Sequence, residues 1–160
     1  MTTTSSDLMH SQIRDQMLTF VPKGGGATLN TQLGGTGTND GRLHKSQAPD
    51  IVLYPFGVMR LINRLTGGEY NGERESFDVE IMLFGRPRSQ GKTIEDLADL
   101  FDQAMLRYRD GSSLGLVFSR SRQRDTMPQP VDPADREVVQ IRLAYSCKAW
   151  PLYLTKYSTP

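Results

Sequence analysis

The 160-residue chain has little of what catalytic and membrane proteins draw on. It holds one cysteine, Cys147, which excludes an intrachain disulfide and fits a reducing compartment. Its two histidines, His10 and His44, stand far apart and have no cysteine or histidine neighbour at zinc-ligand spacing. No apolar run approaches the roughly 20 residues that a bilayer crossing demands, so no membrane role is expected. Charge of one sign is also lacking: 19 basic residues against 18 acidic leave a net +1. That balance excludes a surface built wholly to hold nucleic acid, and any polyanion contact must be a local patch. The opening stretch MTTTSSDLMHSQIRDQ has neither a basic leader nor an apolar core, and predicts no export. A chain of this length has room for one core and one domain.

What is present is a succession of periodic segments. Thr4, Ser5 or Ser6 can cap an opening helix that places Met9, Ile13, Met17 and Phe20 on one face and stops before Pro22. Residues 23–49 change character. Seven of the fifteen glycines fall between Lys23 and Gln47, with Leu29, Leu33 and Leu43 as the sizeable apolar residues, which predicts a long glycine-rich arm or loop rather than a self-sufficient unit. The remainder, 50–160, reads as the core with an apolar C-terminal tail. Ile51 to Tyr54, fenced by Pro49 and Pro55, suits a strand at or near an edge. Gly57 to Leu65 fits helical spacing and strand alternation equally. Phe77, Val79, Ile81 and Leu83 then alternate with Asp78 and Glu80 in a half-buried strand. Thr93, with Asp96 three residues on, caps a second helix whose stripe is Ile94, Leu97, Ala98, Phe101, Met105 and Tyr108. Leu114, Leu116 and Phe118 open another strand, broken by Pro128, Pro130 and Pro133, and the last strand alternates from Val139 to Ala149 before Pro151. The sum is an α+β fold: a mixed or antiparallel sheet with two helices packed on one face and long loop insertions.

The segment from Gly85 to Thr93 lies between strand and helix, where a phosphate loop would stand. It has five residues between Gly85 and Gly91-Lys92-Thr93 instead of four, and Pro87 has no amide hydrogen to give, so a basic turn ending in a helix cap is the better reading. Cys147 falls on the apolar face of the last strand as a packing residue. Asp96, Asp99 and Asp102 run opposite the stripe of the second helix as a solvated face. No catalytic set, metal site or cofactor site emerges, and an enzyme is not expected.

The basic residues are more informative. Alternation puts Arg120, Arg122 and Arg124 on one side of an extended strand, and Arg86, Arg88 and Lys92 form a second basic turn. Such a ladder can track phosphates, clamp carboxylates of a neighbouring subunit, or guard a sheet edge against pairing. Interleaved aromatics, the platforms of single-stranded nucleic-acid binders, are missing. Trp150, Leu152, Tyr153 and Tyr157, with Leu154, make the tail apolar, suited either to closing the domain's own core or to docking on another chain.

The opening helix, the Ile51 to Tyr54 run, the glycine turns, the strand from Glu75 to Arg86, the helix from Thr93 to Tyr108 and the strand from Arg136 to Tyr145 together resemble the tail terminator, or tail-completion, proteins of long-tailed bacteriophages. The resemblance covers residues 50 to 150 best and lies in element order and texture. It implies a structural virion protein: a homohexameric ring capping the tail tube, attached to the head or connector, with DNA passing through. The implied partners are further copies of the chain, the tail tube protein, a head-tail connector or head-closure protein, and the genomic DNA in passing. The implied place is the head-proximal end of the tail, after assembly in the host cytoplasm. Neck and head-closure adaptors share parts of the pattern. The arm at 23–47 and the link from Met127 to Pro133 are longer than the family pattern leads one to expect. On this reading the contact elements are the loops around Lys23 to Gln47 and Ser119 to Pro133.

Overall fold

The computed structural model describes residues 5–67, 74–86, 93–106, 116–124, 129–130 and 138–149. In chain order the elements are α1 (Ser5–Leu18), α2 (Leu29–Gln32), β1 (Leu43–Lys45), β2 (Phe56–Gly67), β3 (Arg74–Gly85), α3 (Ile94–Leu106), β4 (Leu116–Arg124), β5 (Gln129–Pro130) and β6 (Val139–Ala149). The strands form one mixed sheet in the order β1-β2-β3-β6-β4, with β5 also pairing β6. β1 joins β2 in parallel and the other pairs are antiparallel.

Period-two alternation builds the core. Phe77, Val79, Ile81 and Leu83 of β3 share the inner face with Ile141, Leu143, Tyr145 and Cys147 of β6 and Met59 of β2. Ile13, Met17, Leu18 and Phe20 from α1 and its exit pack onto this face beside the α3 stripe of Ile94, Leu97, Ala98, Phe101 and Met105. The architecture is the expected α+β class, with a third, one-turn helix added. The α3 cap forms as its sequence requires: the Thr93 hydroxyl accepts the Asp96 amide and the Asp96 carboxylate accepts the Thr93 amide, both at 3.2 Å.

Several elements depart from expectation. Gly57 to Leu65, which the spacing left open, is strand: Val58, Arg60 and Ile62 lie on the face opposite Met59, which enters the core. Ile51 to Tyr54 is not a strand; β1, hidden in the glycine-rich stretch, holds that edge position instead. Asp102 does not join a solvated face. It is buried and accepts the Tyr145 hydroxyl, which ties α3 to β6. His10 is also buried, with Nε2 2.9 Å from the Met59 carbonyl oxygen. β5 forms within the proline-containing link.

The segment 23–47 is a long loop carrying only α2 and β1, and it is folded against its own domain. Leu29, Leu33 and Leu43 are all buried, each burial stabilising by about 1.5–3 kcal/mol. The rest is polar. Arg14 on α1 donates from Nε to the Leu43 carbonyl, from Nη1 to Asn39 O at 3.1 Å and from Nη2 to Gly41 O at 3.2 Å. Buried Asn30 accepts the Gly41 amide at 2.6 Å and donates to Gly37 O at 3.0 Å and to Asp40 Oδ1 at 3.1 Å. Asp40 in turn accepts the Thr36 and Gly37 amides, and the Asn30 amide first, then these backbone donors, lower its pKa to about 2. Arg42 carries the segment onward, donating to Pro55 O at 2.9 Å and Tyr54 O at 3.2 Å. Glycine is required where this network is tight. Gly34 has φ +79° and a Cβ there would meet the Arg42 guanidinium, while one on Gly41 would lie 2.8 Å from the Asn30 carbonyl oxygen.

Arg14→Ala is expected to cost about 1.5–3 kcal/mol, because it leaves three carbonyls without their charged donor. Urea unfolding measures it. Arg14→Lys should recover only part of the loss, since an ammonium cannot span the same fork of acceptors.

Candidate functional site

The helices cover one face of the sheet. On the other face the strands present their alternate residues: Phe56, Val58, Arg60 and Ile62 from β2, Phe84, Met82, Glu80 and Asp78 from β3, and Gln140, Arg142, Ala144 and Ser146 from β6. Two groups form there.

The first is aromatic. Phe56 and Phe84 are direct cross-strand partners, and their rings stack with centroids 4.8 Å apart at 14°. Tyr54 lies 5.5 Å and His44 6.0 Å from the Phe56 ring. Burial first, then the charges of Arg14 and Arg42, holds the His44 pKa below its ordinary value. The Arg86 guanidinium sits 5.9 Å from the Tyr54 ring centroid. Beside the stack is a shallow depression of about 260 Å³, lined by Ser46, Ala48, Phe56, Val58, Arg60, Met82 and Phe84.

The second group is ionic. Glu80 is buried although no helix among the described residues packs on this face. Arg60, its cross-strand partner, donates to Oε1, and Arg142 donates from Nε to Oε2 at 2.7 Å. Burial alone would raise the Glu80 pKa, but the two guanidinium hydrogen bonds and charges outweigh it and hold the carboxyl below its ordinary value. Both guanidiniums remain one-third or more exposed. A carboxylate bound at both oxygens is not poised as a base; it fixes two arginines in place on an open surface.

Of the residues singled out in the sequence, Arg86 joins the aromatic group. Arg120, Arg122 and Arg124 lie on β4, with Arg122 opposite Tyr145 and Arg124 opposite Leu143. The register shifts between Phe118 and Arg122, so Arg120 falls within an irregularity of the pairing, and the side chains of all three lie outside the described residues. Arg88, Lys92, Trp150, Leu152, Tyr153 and Tyr157 lie outside the described residues, as does most of the segment from Gly85 to Thr93. The Arg60–Glu80–Arg142 group escaped the sequence reading. Its signal was the alternation of Val58, Arg60 and Ile62, which becomes informative only once β2 is known to be a strand beside Glu80.

Among the described residues no group of three or more His, Cys, Asp or Glu side chains stands together as metal ligands. Cys147 is buried, and that burial pushes its thiol pKa far up, so it packs as an un-ionised side chain. No helix among the described residues is long and apolar enough to cross a membrane. No family model and no curated protein matches the chain.

Stability should fall in acid in a way that Glu80 partly controls. A carboxyl whose pKa is lowered on folding stabilises above its unfolded value, here 4.5, and that contribution disappears as pH drops through the folded value. Glu80→Gln should therefore cost about 1–2 kcal/mol at neutral pH and flatten the acid limb of the stability curve below the ordinary glutamate range. Denaturant melts across an acid pH series measure both.

Proposed function

We propose that this chain is a structural virion protein, a tail terminator whose subunits form a homohexameric ring at the head-proximal end of a phage tail tube. The ring meets the tube on one side and the head or its connector on the other, and the genome passes through it. The protein works by fitting against copies of itself and adjoining virion components, and makes or breaks no bond.

The observation that carries this reading is the one-sided architecture. Helices cover one face of a wide sheet, and the other presents an aromatic patch, a depression and two arginines held rigidly by Glu80. Half-exposed guanidiniums beside the partly exposed rings of Tyr54 and Phe84, with Phe56 buried against them, are what protein interfaces favour. The resemblance in element order supplies the assembly. The titratable groups His10, Glu80, Asp102 and Tyr145 are engaged in holding the fold, which favours a contact role over a chemical one.

The purified protein should run as a monomer or a hexamer in sedimentation. Antibody-labelled negative-stain images of tails should place it at one end, next to the head. Labelling along the whole tube refutes the reading, and labelling confined to the connector in tailless heads makes the chain a head-closure adaptor instead.

A further inference from the structure

The sheet has an unequal edge. β2 runs for 12 residues, but β1 pairs only with Gly57, Val58 and Met59. The Gly57 amide donates to Arg42 O at 2.7 Å and the Met59 carbonyl accepts the Ser46 amide at 2.9 Å, so odd-numbered residues of β2 direct their main-chain groups toward β1. Ser46, at φ 67°, then turns the chain out of the sheet. From Arg60 to Gly67 no strand among the described residues lies along this edge, and by the same alternation Leu61 directs its amide and carbonyl toward the same side as Gly57 and Met59.

The same chain carries an unused strand former. Ile51, Val52, Leu53 and Tyr54 are strongly β-prone, yet they pair with nothing in the sheet, and Ile51 and Leu53 are 87% and 67% exposed. Within one subunit this segment runs through Pro55 into the start of β2 and pairs with none of the described strands. The same segment of a second copy has no such tether. The charges also match: β2 carries Arg64, and Arg60, which is paired with Glu80 yet half exposed, with no acidic residue of its own, and the segment from Pro49 to Pro55 carries Asp50 with no basic one.

We infer that Ile51–Tyr54 of one copy adds as a strand to the β2 edge from Arg60 to Gly67 of a second copy. Main-chain hydrogen bonds supply the attachment, and Asp50 near Arg60 and Arg64 favours this partner over a like-charged one. The contact is head-to-tail, since donor and acceptor are different parts of the chain, and repetition of it closes a ring or runs on as a filament. The inference deepens the ring reading and rests on it for the identity of the partner.

The test is sedimentation of the full-length chain over a wide concentration range, combined with hydrogen exchange of the assembled and dilute states. Assembly should protect the Ile51 and Leu53 amides together with that of Leu61. Leu53→Pro removes an amide donor at a position that touches little in its own subunit, so the monomer should melt as before while self-association weakens about tenfold or more. Asp50→Lys should weaken it less, and most at low salt. Assembly of Leu53→Pro with unchanged affinity, or protection confined to other surfaces, overturns strand addition and leaves the ring standing. A native chain that stays monomeric at every concentration also overturns strand addition, whereas the tail-end location is decided separately by the labelled images.

Discussion

Arg14 holds the amino-terminal half of this protein together. It leaves α1 and places its guanidinium against the carbonyls of Asn39, Gly41 and Leu43, in a stretch whose seven glycines offer almost nothing to bury. Ordering such a stretch costs about 1–2 kcal/mol per residue in backbone entropy, which three buried leucines cannot offset alone. The polar contacts of Arg14, Asn30, Asp40 and Arg42 make up the difference, and they also set the position of β1. Without β1 at its place, Gly57 would keep only its pairing with β3, and the Leu43 side chain would leave the space beside it.

This is also why the sequence could be read so unevenly. β3, β6 and α3 were legible, since Phe77, Val79, Ile81 and Leu83 repeat at two and Ile94, Leu97, Ala98, Phe101 and Met105 repeat at helical spacing over a long span. Segment 23–47 was not legible, because its order comes from side chain to carbonyl bonds between residues up to 29 apart, and hydrogen bonding leaves no periodic trace. The β-prone Ile51–Tyr54 run misled for a complementary reason: propensity reports what a segment can do, and in this chain β1 already occupies the edge. Asp102 misled because a step of three along a helix lies close to the boundary between faces, where a single tyrosine hydroxyl decides which side is buried.

The open face was legible only in part. Asp78 and Glu80 were placed on the polar side of β3 from alternation alone, but the burial of Glu80 depends on Arg60 and Arg142 from two other strands, which only the sheet order brings together. The Phe56–Phe84 stack has the same origin. One end of this face is therefore apolar and the other ionic, an asymmetry suited to a contact that must choose one orientation of its neighbour.

Cys147 has a practical consequence. The chain's one thiol is buried in the core on β6 and is kept un-ionised by burial, so a maleimide or disulfide reagent offered to the folded protein finds no reactive sulfur. Any cysteine introduced at a surface position would then be the single labelled site. Fluorescent or spin probes could report distances between subunits without first removing the natural residue and disturbing the packing around it.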